Sequence, residues 1–204
     1  MAQVRKPQVE ARIRGAALEL FARAGYDGTS MAAIAEAAGV ATGNVYRYFA
    51  GGKPALFAQV VPATVADEHR RLVAERVARL TLPLPDPAAA DPSAERLLRF
   101  WIDHRLQMVV LLDRAAGTPH ARYGQEFVDQ LVDLSVARLT GLETARARVV
   151  QRLLGVVFDN TRRAIVAILE DFDAEHDIRT AVQGFWSYQL AGLERLRAWA
   201  SGDA

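Results

Sequence analysis

Thr42, Gly43 and Asn44 form a slim polar stretch, followed at once by Tyr46, Arg47, Tyr48 and Phe49, with Lys53 just beyond. A helix that is small and polar at its start can enter the major groove of a duplex. There, amide and guanidinium groups read base edges, while phenolic hydroxyls and further cations reach backbone phosphates. The chemistry these residue types suit is recognition, with no bond made or broken.

Such residues need elements that present them. Thr29-Ser30 is a helix-start signal, because a hydroxyl accepts a bond from the free amides of a first turn. Met31, Ile34, Ala35 and Ala38 follow at helical spacing, and Gly39 ends that helix as the residue most easily placed left-handed. Val40 supplies an apolar anchor in the turn, and a second short helix is expected over about Thr42 to Phe49. Upstream, Val9, Ile13, Ala17, Leu20, Phe21 and Ala24 form the stripe of a helix from about Gln8 to Ala24, closed by the turn Gly25-Tyr26-Asp27-Gly28. Two alanine-rich helices packed in a core, with Gly39 as a plain stop, are the plainer alternative. That alternative leaves unexplained why turn glycine, slim start, aromatic run and lysine occur in this order.

At these residues the chain resembles the DNA-binding domain of the TetR family of one-component transcriptional regulators. Phe21-Ala22-Arg23-Ala24-Gly25-Tyr26 matches the end of the family's first helix, Thr29 with Ile34-Ala35 its second helix, and Ala38-Gly39-Val40 its turn. Gly43 and Tyr46-Arg47-Tyr48-Phe49 match its recognition helix, and Lys53 its phosphate-binding lysine. Helix geometry and the resemblance together imply that Thr42, Gly43, Asn44 and Arg47 approach bases while Thr29, Tyr46, Tyr48 and Lys53 hold phosphates. Two departures stand out. Ala41 occupies the place of the family's capping serine, so that cap is absent or passes to Thr42. The run Ala50-Gly51-Gly52-Lys53 is one residue longer than the commonest spacing, and its paired glycines can absorb the difference.

Other chemistries find little support. The chain has no cysteine, so disulfides, thiol nucleophiles and thiolate metal sites are excluded. His69, His104, His120 and His176 lie in different segments without the i,i+4 partner a helical metal site needs. No nucleophile elbow and no glycine-rich phosphate loop after a strand occur, so neither an enzyme nor a cofactor is expected. No run of about 18 apolar residues is present, and a cytoplasmic protein without membrane contact is the expectation. Net charge is +1 over 204 residues. The first 60 residues carry +3, which places a basic module on a near-neutral body.

The remainder reads as helices. A fourth helix through Leu56, Phe57, Val60 and Val61 meets Pro62, which kinks or breaks it before a polar part reaching about Leu80. Thr81 to Pro92 is a proline-rich connection. Asp91 then caps a fifth helix expected to run to about Arg114, followed by a sixth from about His120 to Leu139. After Gly141, long helices over about Thr144 to Asp171 and Asp177 to Ala200 carry apolar residues on more than one side. Such helices need two partners each, their own core and something beyond it. Trp101, His104, Met108, Tyr123, Phe127, Phe158 and Arg162 are candidates to line a small-molecule cavity, with His104 and Arg162 as polar handles.

The expected fold is all-α: a helix-turn-helix domain at residues 1–53 and a helical ligand-binding and dimerisation domain at 54–204. The expected function is that of a repressor released from operator DNA by an unidentified small-molecule effector, working as a homodimer through its last two helices. A helical DNA-binding or protein-interaction module without an effector is the alternative.

Overall fold

A computed structural model of the chain describes residues 6–80, 91–137 and 144–201. The basic arm before Lys6, most of the proline-rich connection and Gly141 lie outside these residues. The described residues form helices and turns without strands: α1 (Pro7–Ala24), α2 (Met31–Ala37), α3 (Thr42–Tyr48), α4 (Gly52–Val60), α5 (Ala63–Arg79), α6 (Pro92–Asp103), α7 (Arg105–Val109), a π-helical turn (Val110–Arg114), α8 (Tyr123–Val136), α9 (Thr144–Asp171) and α10 (Glu175–Ser201). Among the described residues, no helix is long and apolar enough to cross a membrane.

The chain divides into two compact units, Met1–Asp67 with Leu106–Tyr123, and Glu68–Arg105 with Gly124–Ala204. It therefore passes between them three times, at residues 67–68, 105–106 and 123–124.

In the first unit α1 buries Ile13, Ala17 and Phe21, the stripe its periodicity predicts. Phe21, Tyr26 and Phe57 stand 5.1–5.6 Å apart centroid to centroid, two of the three pairs edge-on, an arrangement that suits the ring quadrupoles. Pro62 does break the fourth helix: α4 stops at Val60, and α5 restarts at Ala63. The π-helical turn packs on α1, and Tyr26 N–H donates to Arg114 O at 3.1 Å.

In the second unit, Asp91 caps α6 by accepting Ser93 N–H at 2.8 Å, with Pro92 at the first helical position. Arg76 reaches the other carboxylate oxygen of Asp91 at 2.5 Å. α9 and α10 pack together. Their inner faces bury Val150, Leu154, Phe158, Ile165 and Leu169 from one, and Ile178, Val182 and Leu190 from the other.

Two helices differ from expectation. The one begun at Pro92 is interrupted at His104, whose φ of −114° and ψ of 28° leave the helical region, and it ends in a π-helical turn. The interruption falls where the chain leaves one compact unit for the other, a tertiary demand without local sequence signal. The next helix starts at Tyr123 instead of His120, because Thr118 and His120 are held in a turn: Thr118 Oγ1 donates to Ala115 O and accepts His120 N–H.

Candidate nucleic-acid interface

α2 and α3 are joined by a tight turn. Ser30 caps α2, its Oγ accepting Ala33 N–H at 3.1 Å. Gly39 sits at φ 63°, the left-handed region that a β-carbon disfavours. Its amide and that of Val40 donate back to Glu36 O and Ala35 O, closing α2 and redirecting the chain into α3. α3 is anchored from beneath by Val45, Tyr48 and Phe49, all buried. Thr42, Gly43 and Arg47 are exposed and Asn44 is half-buried, so the slim polar start lies on the surface.

The N-cap of α3 is Ala41, in extended conformation and without a side-chain cap bond. The position is exposed. Serine here can supply the missing acceptor, so Ala41→Ser should stabilise the protein by about 1 kcal/mol, a rise of roughly 2–4 °C in thermal midpoint. Differential scanning calorimetry checks it; a midpoint equal to or below that of wild type contradicts an open cap.

The residues expected on phosphates divide. Tyr46 is 50% exposed. Tyr48 is buried, and its hydroxyl oxygen accepts Lys6 N–H at 2.9 Å, pinning the start of α1. Arg47 lies 5.6 Å from the Tyr48 ring centroid. Thr29 is 3% exposed, with Oγ1 donating to Gly25 O at 2.7 Å and near Leu20 O at 3.2 Å. Its side chain thus lies beneath the surface in this state, because the hydroxyl satisfies carbonyls left open at the end of α1. Lys53 Nζ donates to Tyr26 O and Thr29 O at 2.8 and 3.0 Å. The longer loop is accommodated by Gly52, left-handed at φ 66°, which opens α4 directly behind the recognition helix.

The candidate cavity residues are also split. Met108 and Tyr123 belong to the first unit, where Met108 is fully buried and the Tyr123 hydroxyl donates to Ala66 O at 3.1 Å. Trp101, His104, Phe127, Phe158 and Arg162 belong to the second. There, Trp101 Nε1–H donates to Nε2 of His69 at 3.0 Å, and the His69 ring lies 5.3 Å from Phe127 and 6.0 Å from Phe100. His104 stands 4.5 Å from Phe100, and its buried Nδ1 has no hydrogen-bond partner. Phe158 is buried on α9, and Arg162 Nε donates to Asp159 at 3.0 Å.

His69 is the residue that sequence reading missed. It falls in the part of its helix expected to be polar, yet it is fully buried, and burial, with the nearby Arg70 charge, pushes its imidazole down to about 3. The signal was present: Val65, His69, Leu72 and Val73, and Val77 share one helical stripe, all of it buried. Among the described residues, no group of three or more His, Cys, Asp or Glu side chains is placed to hold a metal.

A family model described as bacterial regulatory proteins, tetR family, matches residues 13–60, the span from α1 through α4. No curated protein matches the chain significantly. Solved structures do. One is NalD of Pseudomonas aeruginosa, described as the secondary repressor of the MexAB-OprM multidrug efflux pump, at 23% identity over 89% of this chain and 95% of that one, TM-score 0.41. Another is FadR of Bacillus halodurans, a fatty acid degradation regulator, at 16% identity over 94% and 98%, TM-score 0.43. A third is a tetR-family regulator of Streptomyces coelicolor, at 18% over 97% and 91%, TM-score 0.42.

Proposed function

Through residues 13–60 this chain belongs to the tetR family of bacterial transcriptional regulators, and from that membership we propose that it is a repressor that occupies an operator as a homodimer and leaves it when a small-molecule effector binds. The observation that carries the DNA part is the start of α3. Thr42 and Gly43 are exposed on a helix whose Val45, Tyr48 and Phe49 are locked into the core, so a rigid scaffold offers a slim polar tip. Thr42, Gly43, Asn44 and Arg47 approach base edges in this reading, and Tyr46 holds a phosphate. Thr29 and Tyr48 stand on the phosphate side, both from buried positions that brace the backbone around the tip, and Lys53, expected with them, is half-buried behind it.

The effector part rests on the second unit. His104 Nδ1 is a buried polar atom without a partner, a condition that a ligand hydroxyl or carboxyl would relieve. Trp101, Phe127 and Phe158 supply aromatic surface, and the ligand is accordingly apolar or aromatic with a polar group. Arg162 is a handle already engaged by Asp159, so a ligand anion would compete with that carboxylate. The effector-free alternative has its own support, since the Trp101 indole is satisfied internally by His69. Release of DNA by a ligand, with ligand affinity lowered reciprocally by DNA, separates the two.

The DNA reading is tested by selecting duplexes from a random-sequence pool with the purified full chain. A discrete, two-fold related motif is expected. Asn44→Ala should flatten preference at one position of each half-site, worth about 1–3 kcal/mol of discrimination, whereas Tyr46→Phe should weaken binding to all sequences alike. Recovery of no enriched motif, or equal enrichment profiles for wild type and Asn44→Ala, rejects the assignment of α3.

A further inference from the structure

Lys53 has a place in the fold that a phosphate ligand does not need. Its ammonium lies between Tyr26 O and Thr29 O, at 2.8 and 3.0 Å, and 4.1 Å from the centroid of the Tyr26 ring. An ammonium has three donors. Two carbonyls and the negative face of an aromatic ring supply as many partners. The cradle is itself built: Thr29 N–H donates to Tyr26 O, Thr29 Oγ1 donates to Gly25 O, and Tyr26 N–H donates to Arg114 O. One short connection, Gly25 to Thr29, thereby ties the end of α1, the start of α2, the π-helical turn and, through Lys53, the first turn of α4.

We infer that Lys53 is a positioning residue for DNA binding: its ammonium clamps the Tyr26–Thr29 connection to the first turn of α4 and so sets the angle at which α2 and α3 are presented, without itself holding a phosphate. The inference rests on the reading of α3 as the DNA-reading helix. Its physical logic is that α3 is flanked on both sides by short turns. On one side the Gly39 turn closes locally. On the other, α4 begins with a left-handed glycine and no side-chain cap, so its orientation is held by packing and by this cross-link. Drawing the ammonium out to a phosphate would take this donor from Thr29 O, leave Tyr26 O with the Thr29 N–H alone, and remove the cation from the ring.

The test uses the full chain with Lys53→Met, Lys53→Gln and Lys53→Arg, and a duplex selected by the wild-type protein. Lys53→Met should lower the thermal midpoint by roughly 4 °C or more. Its Kd for the duplex should rise about tenfold at every salt concentration, with the slope of log Kd against log salt unchanged. Lys53→Gln keeps an amide donor for the carbonyls but not the charge. It should retain the wild-type slope and recover part of the affinity, and it remains the measurement if Lys53→Met does not fold. Lys53→Arg, whose guanidinium can bond both carbonyls and stack on Tyr26, should restore most of the midpoint and the affinity. A slope shallower by about 0.9 in Lys53→Gln with an unchanged midpoint makes Lys53 a phosphate ligand and overturns the inference. If the wild type selects no duplex, the DNA reading fails separately, and the clamp is decided by midpoint alone: a Lys53→Met protein as stable as wild type overturns it.

Discussion

Between pH 6.5 and pH 4.5, wild-type protein should lose roughly 2 kcal/mol of stability that the His69→Gln variant keeps. His69 is fully buried, and Nε2 accepts the Trp101 indole N–H, a bond available only to the neutral ring. Burial, aided by the Arg70 charge, holds the folded-state value down at about 3, against an ordinary value of 6.5. The sign follows from proton counting. Below about 6.5 the unfolded chain takes up a proton on this histidine, while the folded chain does not until about pH 3. The contribution is therefore fully present above 6.5 and is lost as pH falls, at about 1.4 kcal/mol per unit. Glutamine offers a carbonyl oxygen to the indole and does not titrate. Carboxylates and other histidines titrate in both proteins, so the difference between the two curves isolates His69. Urea unfolding followed by circular dichroism at several pH values measures it. Parallel curves for the two proteins would falsify the buried neutral assignment. His69→Leu adds a second reading at neutral pH, where stranding the indole N–H should cost about 1–3 kcal/mol.

The DNA-reading head was legible in the sequence because its signals are local. Ser30 at a cap, Gly39 at a turn and the stripe from Ile13 to Phe21 each act over four or five residues, and each lies where its chemistry predicts. The long helices were legible for the same reason, as sustained periodicity, and α9 spans the expected Thr144–Asp171. What escaped notice depends on distant partners. The interruption at His104 and the assignment of Leu106–Tyr123 to the first compact unit have their cause in contacts such as Tyr26 N–H to Arg114 O, far apart in sequence. The cradle around Lys53 is likewise made of main-chain carbonyls, which no side-chain pattern reveals. His69 is the intermediate case: its stripe repeats at helical spacing, but it lies in a part of the chain that arginines and acids make polar.

Leu153→Glu combined with Val156→Glu should convert the protein from a dimer of about 45 kDa to a monomer of about 22 kDa. Expectation placed two apolar sides on each of the last helices, and α9 carries both. Val150, Leu154 and Phe158 are buried within its own unit, whereas Val149, Leu153 and Val156 step by four and three along a second line and are exposed. Val156 is 62% exposed, and on α10 Tyr188 is 75% exposed, with Trp199 also open. Contiguous exposed apolar rows of this kind mark an interface. In a two-fold pair the same rows meet themselves, and four helices close a bundle. Each glutamate is then desolvated once on each protomer, which doubles its penalty. On α10, Leu193 is half-buried, and Leu193→Glu tests whether that helix shares the contact. The loss should extend to DNA: a single α3 reads one half-site, so affinity for a two-fold site should fall by about a thousandfold or more while helicity is retained. Light scattering with multi-angle detection at micromolar concentration reads the mass, and circular dichroism verifies the fold. A wild-type mass of one chain refutes the dimer outright. A double variant that stays dimeric removes α9 from the interface and leaves the exposed row to be explained by another contact.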